Sequence, residues 1–230
     1  MDCAEDVRGL CLPRSSHSHH AIVLGTILPT VDADRQKAER PRFSTVSLSI
    51  APCPQEKSND PPMLTVLSAA YVLGKKFDLG LAAIGKALAL DPNSAWAWLR
   101  SGWANFYTSN PDKAIEHFHR SMHLSPLDLM HFNALVGIGA AHFGKGQYDE
   151  AAHWIEQALR EKPSATWVYR LLTTTYANAG RLEEAKQAAA KLLEAFPDLT
   201  VSKAMDAAPG QPDTIVRFAQ GLREAGLPEQ

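Results

Sequence analysis

Cysteine is nearly missing from this chain: Cys3, Cys11 and Cys53 are the three, and none follows position 53. An odd number without a C-x-x-C pair excludes a disulfide framework and a zinc ribbon, and a reducing cytoplasm is the simplest expectation. Neither sign of charge dominates, with 23 basic residues against 25 acidic ones and a net charge of −2. Such a balance supplies no attraction for nucleic acid or an anionic membrane. No apolar run approaches the roughly 18 residues of a membrane span. Also lacking are a nucleophile motif, a Gly-rich phosphate loop and a metal signature such as H-E-x-x-H. No catalytic residue, cofactor or metal is therefore expected.

Aromatic residues are missing too, but only locally. The chain holds eight Phe, five Trp and five Tyr, yet Phe43 alone falls within the first 60 positions. That stretch alternates short apolar pieces with turn formers such as Pro13-Arg14-Ser15-Ser16 and Pro52-Cys53-Pro54. The apolar run Ala21–Leu28 is too short for a signal peptide, follows histidines rather than Lys or Arg, and lacks a cleavage site. Val46, Leu48 and Ile50 alternate like a strand, but one strand without a partner does not stand alone. His17, His19 and His20 fall short of the four ligands in fixed geometry that a structural site needs. Residues 1–60 are read as a low-complexity, poorly structured leader. An alternative reading makes them the product of an upstream start or a truncated gene.

From residue 61 to 230 a ruler appears. Pro92, Pro126, Pro163 and Pro197 are separated by 34, 37 and 34 residues. With each proline numbered 32, position 20 is small throughout: Gly80, Ala114, Ala151 and Ala185. Position 8 reads Ser68, Gly102, Gly139 and Thr173, and position 24 reads Ile84, Phe118, Ile155 and Ala189. The three extra residues of the third unit fall in the junction Leu127–His131 and lengthen a connection. Asn110-Pro111-Asp112 has the form of a helix N-cap with proline at the first helical position. Gly144, Gly146 and Gly180 suit the turns between helices. Ile215, Phe218, Ala219 and Leu222 form one apolar stripe, with Arg217, Gln220, Arg223 and Glu224 on the other side. Residues 212–226 are thus expected to form a helix that caps the array at its end. No matching cap is visible before Pro61.

This period and its small-residue positions resemble the tetratricopeptide repeat, a helical hairpin that buries its faces against its neighbours. The resemblance implies an all-α solenoid of about four hairpins plus the C-terminal capping helix. It also implies that the first helix of each hairpin lines a concave groove. On that basis the inward positions are Trp96, Leu99, Trp103, Phe106 and Tyr107 in the second repeat. They are Asn133, Val136, Ala140, Phe143 and Gly144 in the third, and Trp167, Arg170, Thr174, Ala177 and Asn178 in the fourth. Aromatics and arginine are enriched at binding hot spots, so Trp96, Leu99, Trp103, Tyr107, Asn133, Trp167, Arg170 and Asn178 are the candidate partner-binding residues. The competing reading is packing between hairpins, favoured for Phe106 and evenly balanced for Trp103 and Trp167. The Lys/Asn/Arg pattern that grips a peptide's terminal carboxylate in some family members is not matched.

The strings SAWAWLRSGW (94–103), GQYDEAAHWIEQAL (146–159), PSATWVYRLL (163–172) and GLREAGLPE (221–229) resemble a narrower group. These are the C-terminal repeat regions of bacterial class III adenylate/guanylate cyclase-like proteins and related winged-helix regulators. Residues 1–60 are too short for a cyclase domain. Two functions follow: a non-catalytic module that docks a protein or peptide, or a detached regulatory part of a cyclase-like protein. An exposed solenoid end also allows a homodimer. His119 and His123 share a helix at metal-ligand spacing, but no third ligand is evident, and a solvated helix face is the preferred reading. His131, His142 and His153 recur every 11 residues without sharing an element.

Overall fold

Small residues at fixed positions let helices approach closely, and the chain folds as a series of helical hairpins accordingly. The computed structural model describes residues 59–206 and 212–230. The expectations for the leader, its strand-like stretch and its histidines lie outside the described residues. The helices are α1 (Pro61–Leu73), α2 (Phe77–Leu90), α3 (Ala95–Tyr107), α4 (Pro111–Leu124), α5 (His131–Gly144) and α6 (Tyr148–Glu161). A 3-10 turn, Thr166–Val168, leads into α7 (Tyr169–Asn178), followed by α8 (Leu182–Ala195), α9 (Val201–Asp206) and α10 (Pro212–Glu224). No strand occurs among the described residues. The all-α, four-hairpin reading is therefore correct, with α1–α2, α3–α4, α5–α6 and α7–α8 as the hairpins.

The spacing that located the repeats also places the core. Ala114, Ala151 and Ala185 are fully buried, as are Ala87, Ala158 and Leu192 at the position two turns further along the same helical face. Each hairpin turn carries one residue with positive φ: Lys75, Ser109, Gly146 and Gly180. The same reversal hydrogen bond recurs after it, from the amides of Lys76, Asn110, Gln147 and Arg181 to the carbonyls of Tyr71, Asn105, His142 and Tyr176. A left-handed residue closing a helix by such a six-to-one bond satisfies carbonyls that the helix end would leave open. Pro111 opens α4 as expected, but Asn110 does not cap it. Its side-chain amide instead donates to the carbonyl and hydroxyl of Thr108, both at 3.2 Å. Ser94, which the sequence reading passed over, does cap α3 by accepting from the Ala97 amide at 3.2 Å.

Curvature follows from unequal packing. The first helices α1, α3 and α5 touch in succession, whereas the second helices α2, α4, α6 and α8 make at most marginal contact with each other. The side on which helices crowd together is the inner one, so the first helices line the concave face. The extra residues between Ser125 and Met130 form a loop in which Leu127 and Leu129 are exposed.

The end of the array differs from a simple added layer. Each first helix of a following hairpin packs on the second helix of the one before it. Helix α10 instead packs on α7 and makes at most marginal contact with α8. Short α9 and the C-terminal tail close the end, with the Val201 amide donating to the Pro228 carbonyl at 2.8 Å.

One core group is titratable near neutrality. His117 is buried, its Nδ1 lies 2.9 Å from Ser101 Oγ, and its ring stands edge-on to Trp98 with centroids 4.8 Å apart. Asn105 Nδ2, a donor only, approaches the same nitrogen at 3.4 Å, so Nδ1 accepts and a proton there is unwelcome. Burial chiefly, with Lys113 adding to it and Glu116 opposing, holds the imidazole below its ordinary value. Because the unfolded chain then takes up the proton first, stability is complete above about pH 6.5 and falls as pH drops through the folded value. Urea midpoints measured from pH 7.5 to 5 should fall more steeply in the parent than in His117→Gln; parallel curves would contradict this.

Candidate functional site

One face of α3 carries Trp96, Arg100, Trp103 and Tyr107 at helical spacing of four, three and four. Trp103 is the hub. It is 6% exposed, and its indole N–H donates to Asn133 Oδ1 of α5 at 2.7 Å. Its ring stacks on Tyr107 with centroids 5.8 Å apart and meets Phe118 edge-on at 5.4 Å. Phe106 stands edge-on at 5.9 Å. Trp103, Tyr107 and Asn133 are thus brought together, and Asn133 satisfies an indole donor that burial would otherwise leave unpaired.

The other candidates are distributed around this hub. Leu99 is buried and Trp96 half-buried; both line a small recess with Met122, Met130 and His131 where the second repeat meets the third. Trp167 sits in the 3-10 turn before α7 and is 8% exposed. Arg170, the second residue of α7, lies with its guanidinium 5.6 Å from the Phe218 ring of α10. Asn178 is engaged within the fold: its Nδ2 donates to the Thr174 carbonyl at 2.8 Å and to the Arg217 carbonyl at 3.1 Å. Thr174 Oγ1 donates to the Phe218 carbonyl at 3.0 Å.

Helix α10 therefore lies on the inward positions of the fourth repeat. Arg217, expected on the solvent side, turns back to the third repeat instead. It donates to the Gly144 carbonyl at 2.9 Å and to the Tyr148 hydroxyl at 3.1 Å. A cation at the carbonyl end of α5 is favourable for the helix dipole and answers one of the open carbonyls there.

Arg100 is the residue the position-by-position reading missed. It is 8% exposed, and its Nε has no hydrogen-bond partner. Its spacing from Trp103 and Tyr107 puts it on their face, which is the signal that could have found it. Burial lowers its pKa to about 10, leaving it cationic at neutral pH. Burial also lowers Arg170. Burial pushes the Tyr107 phenol up to about 12, against the pull of both Arg100 and Arg170, so the hydroxyl is protonated at neutral pH.

The histidines are dispersed. His119 meets the edge of Trp154, His131 Nδ1 lies 2.8 Å from Glu161 Oε2, and His142 pairs with Gln147. His153 also meets Trp154 edge-on. Among the described residues no three His, Cys, Asp or Glu side chains gather as a metal site.

Comparison with known proteins agrees with this architecture. Two family models described as "Tetratricopeptide repeat" match the chain, one over residues 68–128 and 107–166, the other over 142–205. Tetratricopeptide repeat-containing protein trd-1 of Caenorhabditis elegans is 27% identical over 131 residues, which are 56% of this chain and 16% of that protein. The chain thus spans about a sixth of that relative's length. The crystal structure of PilW, a type IV pilus biogenesis factor, superposes with a TM-score of 0.60 at 19% identity, covering 74% of this chain and 77% of PilW. Pseudomonas aeruginosa PilF gives 0.54 at 17% identity, with 72% and 76% covered. A MamA RS-1 double mutant gives 0.52 at 17% identity, with 73% and 95% covered. At these identities the likeness concerns the fold alone.

Proposed function

We propose that this chain, which belongs to the tetratricopeptide repeat family, is a non-catalytic interaction module that holds a segment of a partner protein along its concave groove. The observation that carries this reading is the inner face itself. Trp103, Tyr107 and Asn133 meet between α3 and α5, Trp96 and Leu99 line the recess where the second repeat meets the third, and we assign Arg170 of α7 to the same groove. Helix α10 occupies the inward positions of the fourth repeat through Thr174 and Asn178. The stretch proposed for a partner therefore runs along α1, α3 and α5 towards Arg170. Trp103 and Trp167 are buried and stabilise the scaffold, and we assign the small part of each that stays accessible to the groove. Among the described residues no helix is long and apolar enough to cross a membrane. Separately, the odd number of cysteines without C-x-x-C spacing is our reason to place the module in a reducing cytoplasm.

A photo-crosslinking amino acid at position 96, on the inner face, should link the chain to its partner in cells that make it. The same group at position 160, where Arg160 is exposed on α6, should not. Links from position 160 and none from 96 would reject the groove. A linked product of twice the chain's mass would identify the partner as a second copy. The resemblance of residues 94–103, 146–159, 163–172 and 221–229 to cyclase-associated repeats supports a narrower version, in which the groove docks the effector of a cyclase-like protein. A cyclase coding segment beside the gene would favour it, and an unrelated neighbour would count against it.

A further inference from the structure

Three buried side-chain atoms have no hydrogen-bond partner among the described residues: Ser68 Oγ, Thr173 Oγ1 and Arg100 Nε. The two hydroxyls are neutral, but the guanidinium carries a full charge and five N–H donors. Burying such a group without an acceptor or a counter-charge is costly, which is why buried arginines are ordinarily paired. No carboxylate among the described residues forms an ion pair with Arg100 or with Arg170. The ionisable group whose field reaches both is Tyr107, neutral and stacked on Trp103. Arg170 meets the Phe218 ring and no anion. Two cations without a carboxylate partner thus act electrostatically on one phenol, which shares a face of α3 with Arg100, in a chain whose net charge is −2. Overall composition does not explain this local excess.

We propose that Arg100, Tyr107 and Arg170 form a subsite for the side-chain carboxylate of an aspartate or glutamate in the docked segment, with the apolar neighbours of that acid resting on Trp96 and the edge of Trp103. A carboxylate has the acceptors that the Arg100 fork and the Tyr107 hydroxyl need, and charge-assisted bonds of this kind are among the stronger ones. The partner is then an extended acidic peptide with apolar flanks. This assignment rests on the groove reading given above and narrows it.

The test uses the full 230-residue chain and a random dodecapeptide display library whose peptides are tethered at the C-terminus, so that no terminal carboxylate is free. Selected peptides should share one Asp or Glu. Changing that acid to its amide, measured by fluorescence polarisation, should weaken binding at least ten-fold. Arg100→Met and Arg170→Met should each weaken the acidic peptide by about ten- to a hundred-fold and leave its amide form nearly unchanged. Arg100→Met should not lower Tm, because it removes a buried charge while keeping the side-chain length. Should Arg100→Met fail to fold, half-buried Arg170→Gln carries the same comparison. Selection of neutral peptides that still crosslink from position 96 would overturn the carboxylate subsite and leave the groove standing. No selection at all would overturn both. Acid-dependent binding indifferent to both arginines, or a large loss of Tm in Arg100→Met with binding unchanged, would also overturn the subsite.

Discussion

Phe118→Ala is expected to destabilise the protein by roughly 3–5 kcal/mol, the range for emptying a buried aromatic site. Phe118 is completely buried and lies where three other repeats carry Ile84, Ile155 or Ala189. Its ring fits because two glycines face it. A Cβ on Gly102 would stand 2.5 Å from the ring, and one on Gly137 would stand 2.2 Å from Phe118 Cζ. The ring is pinned from both sides, with Trp103 edge-on as a third wall, so it has no free space to yield. Gly137→Ala alone should therefore cost about 1–3 kcal/mol by overpacking. Combined with Phe118→Leu, it should cost measurably less than the sum, with a coupling of about 1 kcal/mol or more. Urea denaturation of the two single variants and the double would show this. Strict additivity would mean that the ring and the glycine do not share one packing site.

Gly221→Val should release α10 from the concave face. A Cβ at Gly221 would lie 2.3 Å from Thr174 Oγ1 and 2.8 Å from both Asn178 Nδ2 and the Thr174 Cα. The last of these is backbone, so α7 cannot give way by turning a side chain. Separating the helices would break the Thr174 and Asn178 bonds to the α10 carbonyls and pull Arg217 from the end of α5. Net hydrogen bonds contribute about 1 kcal/mol each, so a loss on the order of 2–4 kcal/mol is expected. Hydrogen exchange gives the sharper check. Amides of residues 212–227 should exchange faster while α3 to α6 keep their protection, because solenoid hairpins depend mainly on neighbours. Unchanged protection of α10 would show that the close approach at Gly221 does not hold it.

These two sites divide what was legible in the sequence from what was not. Gly102 was readable as a small residue at a repeat position, since its spacing recurs at Ser68, Gly139 and Thr173. Gly137 was not, because it answers the one aromatic that replaces an aliphatic in a neighbouring repeat. The hub Trp103–Tyr107–Asn133 was readable as three inward positions. That Trp103 and Asn133 bond to each other, so that a tryptophan offered as a binding residue also ties two repeats together, was not. Arg100 stands on the same face by simple helical spacing. Its lack of a counter-charge shows only when every neighbouring element is in place.

The amino-acid sequence alone settled the number of hairpins, their turns and the positions of the small residues. Those features repeat within units of about 34 residues and depend on contacts between residues close in the chain. The tertiary structure decided where α10 lies, which groove residues it engages, and which cations are left without a partner. Thr174 reaches Phe218 across 44 residues and Arg217 reaches Gly144 across 73. Contacts of that span obey no repeat period, because they arise from the shape of the surface on which the last helix comes to rest.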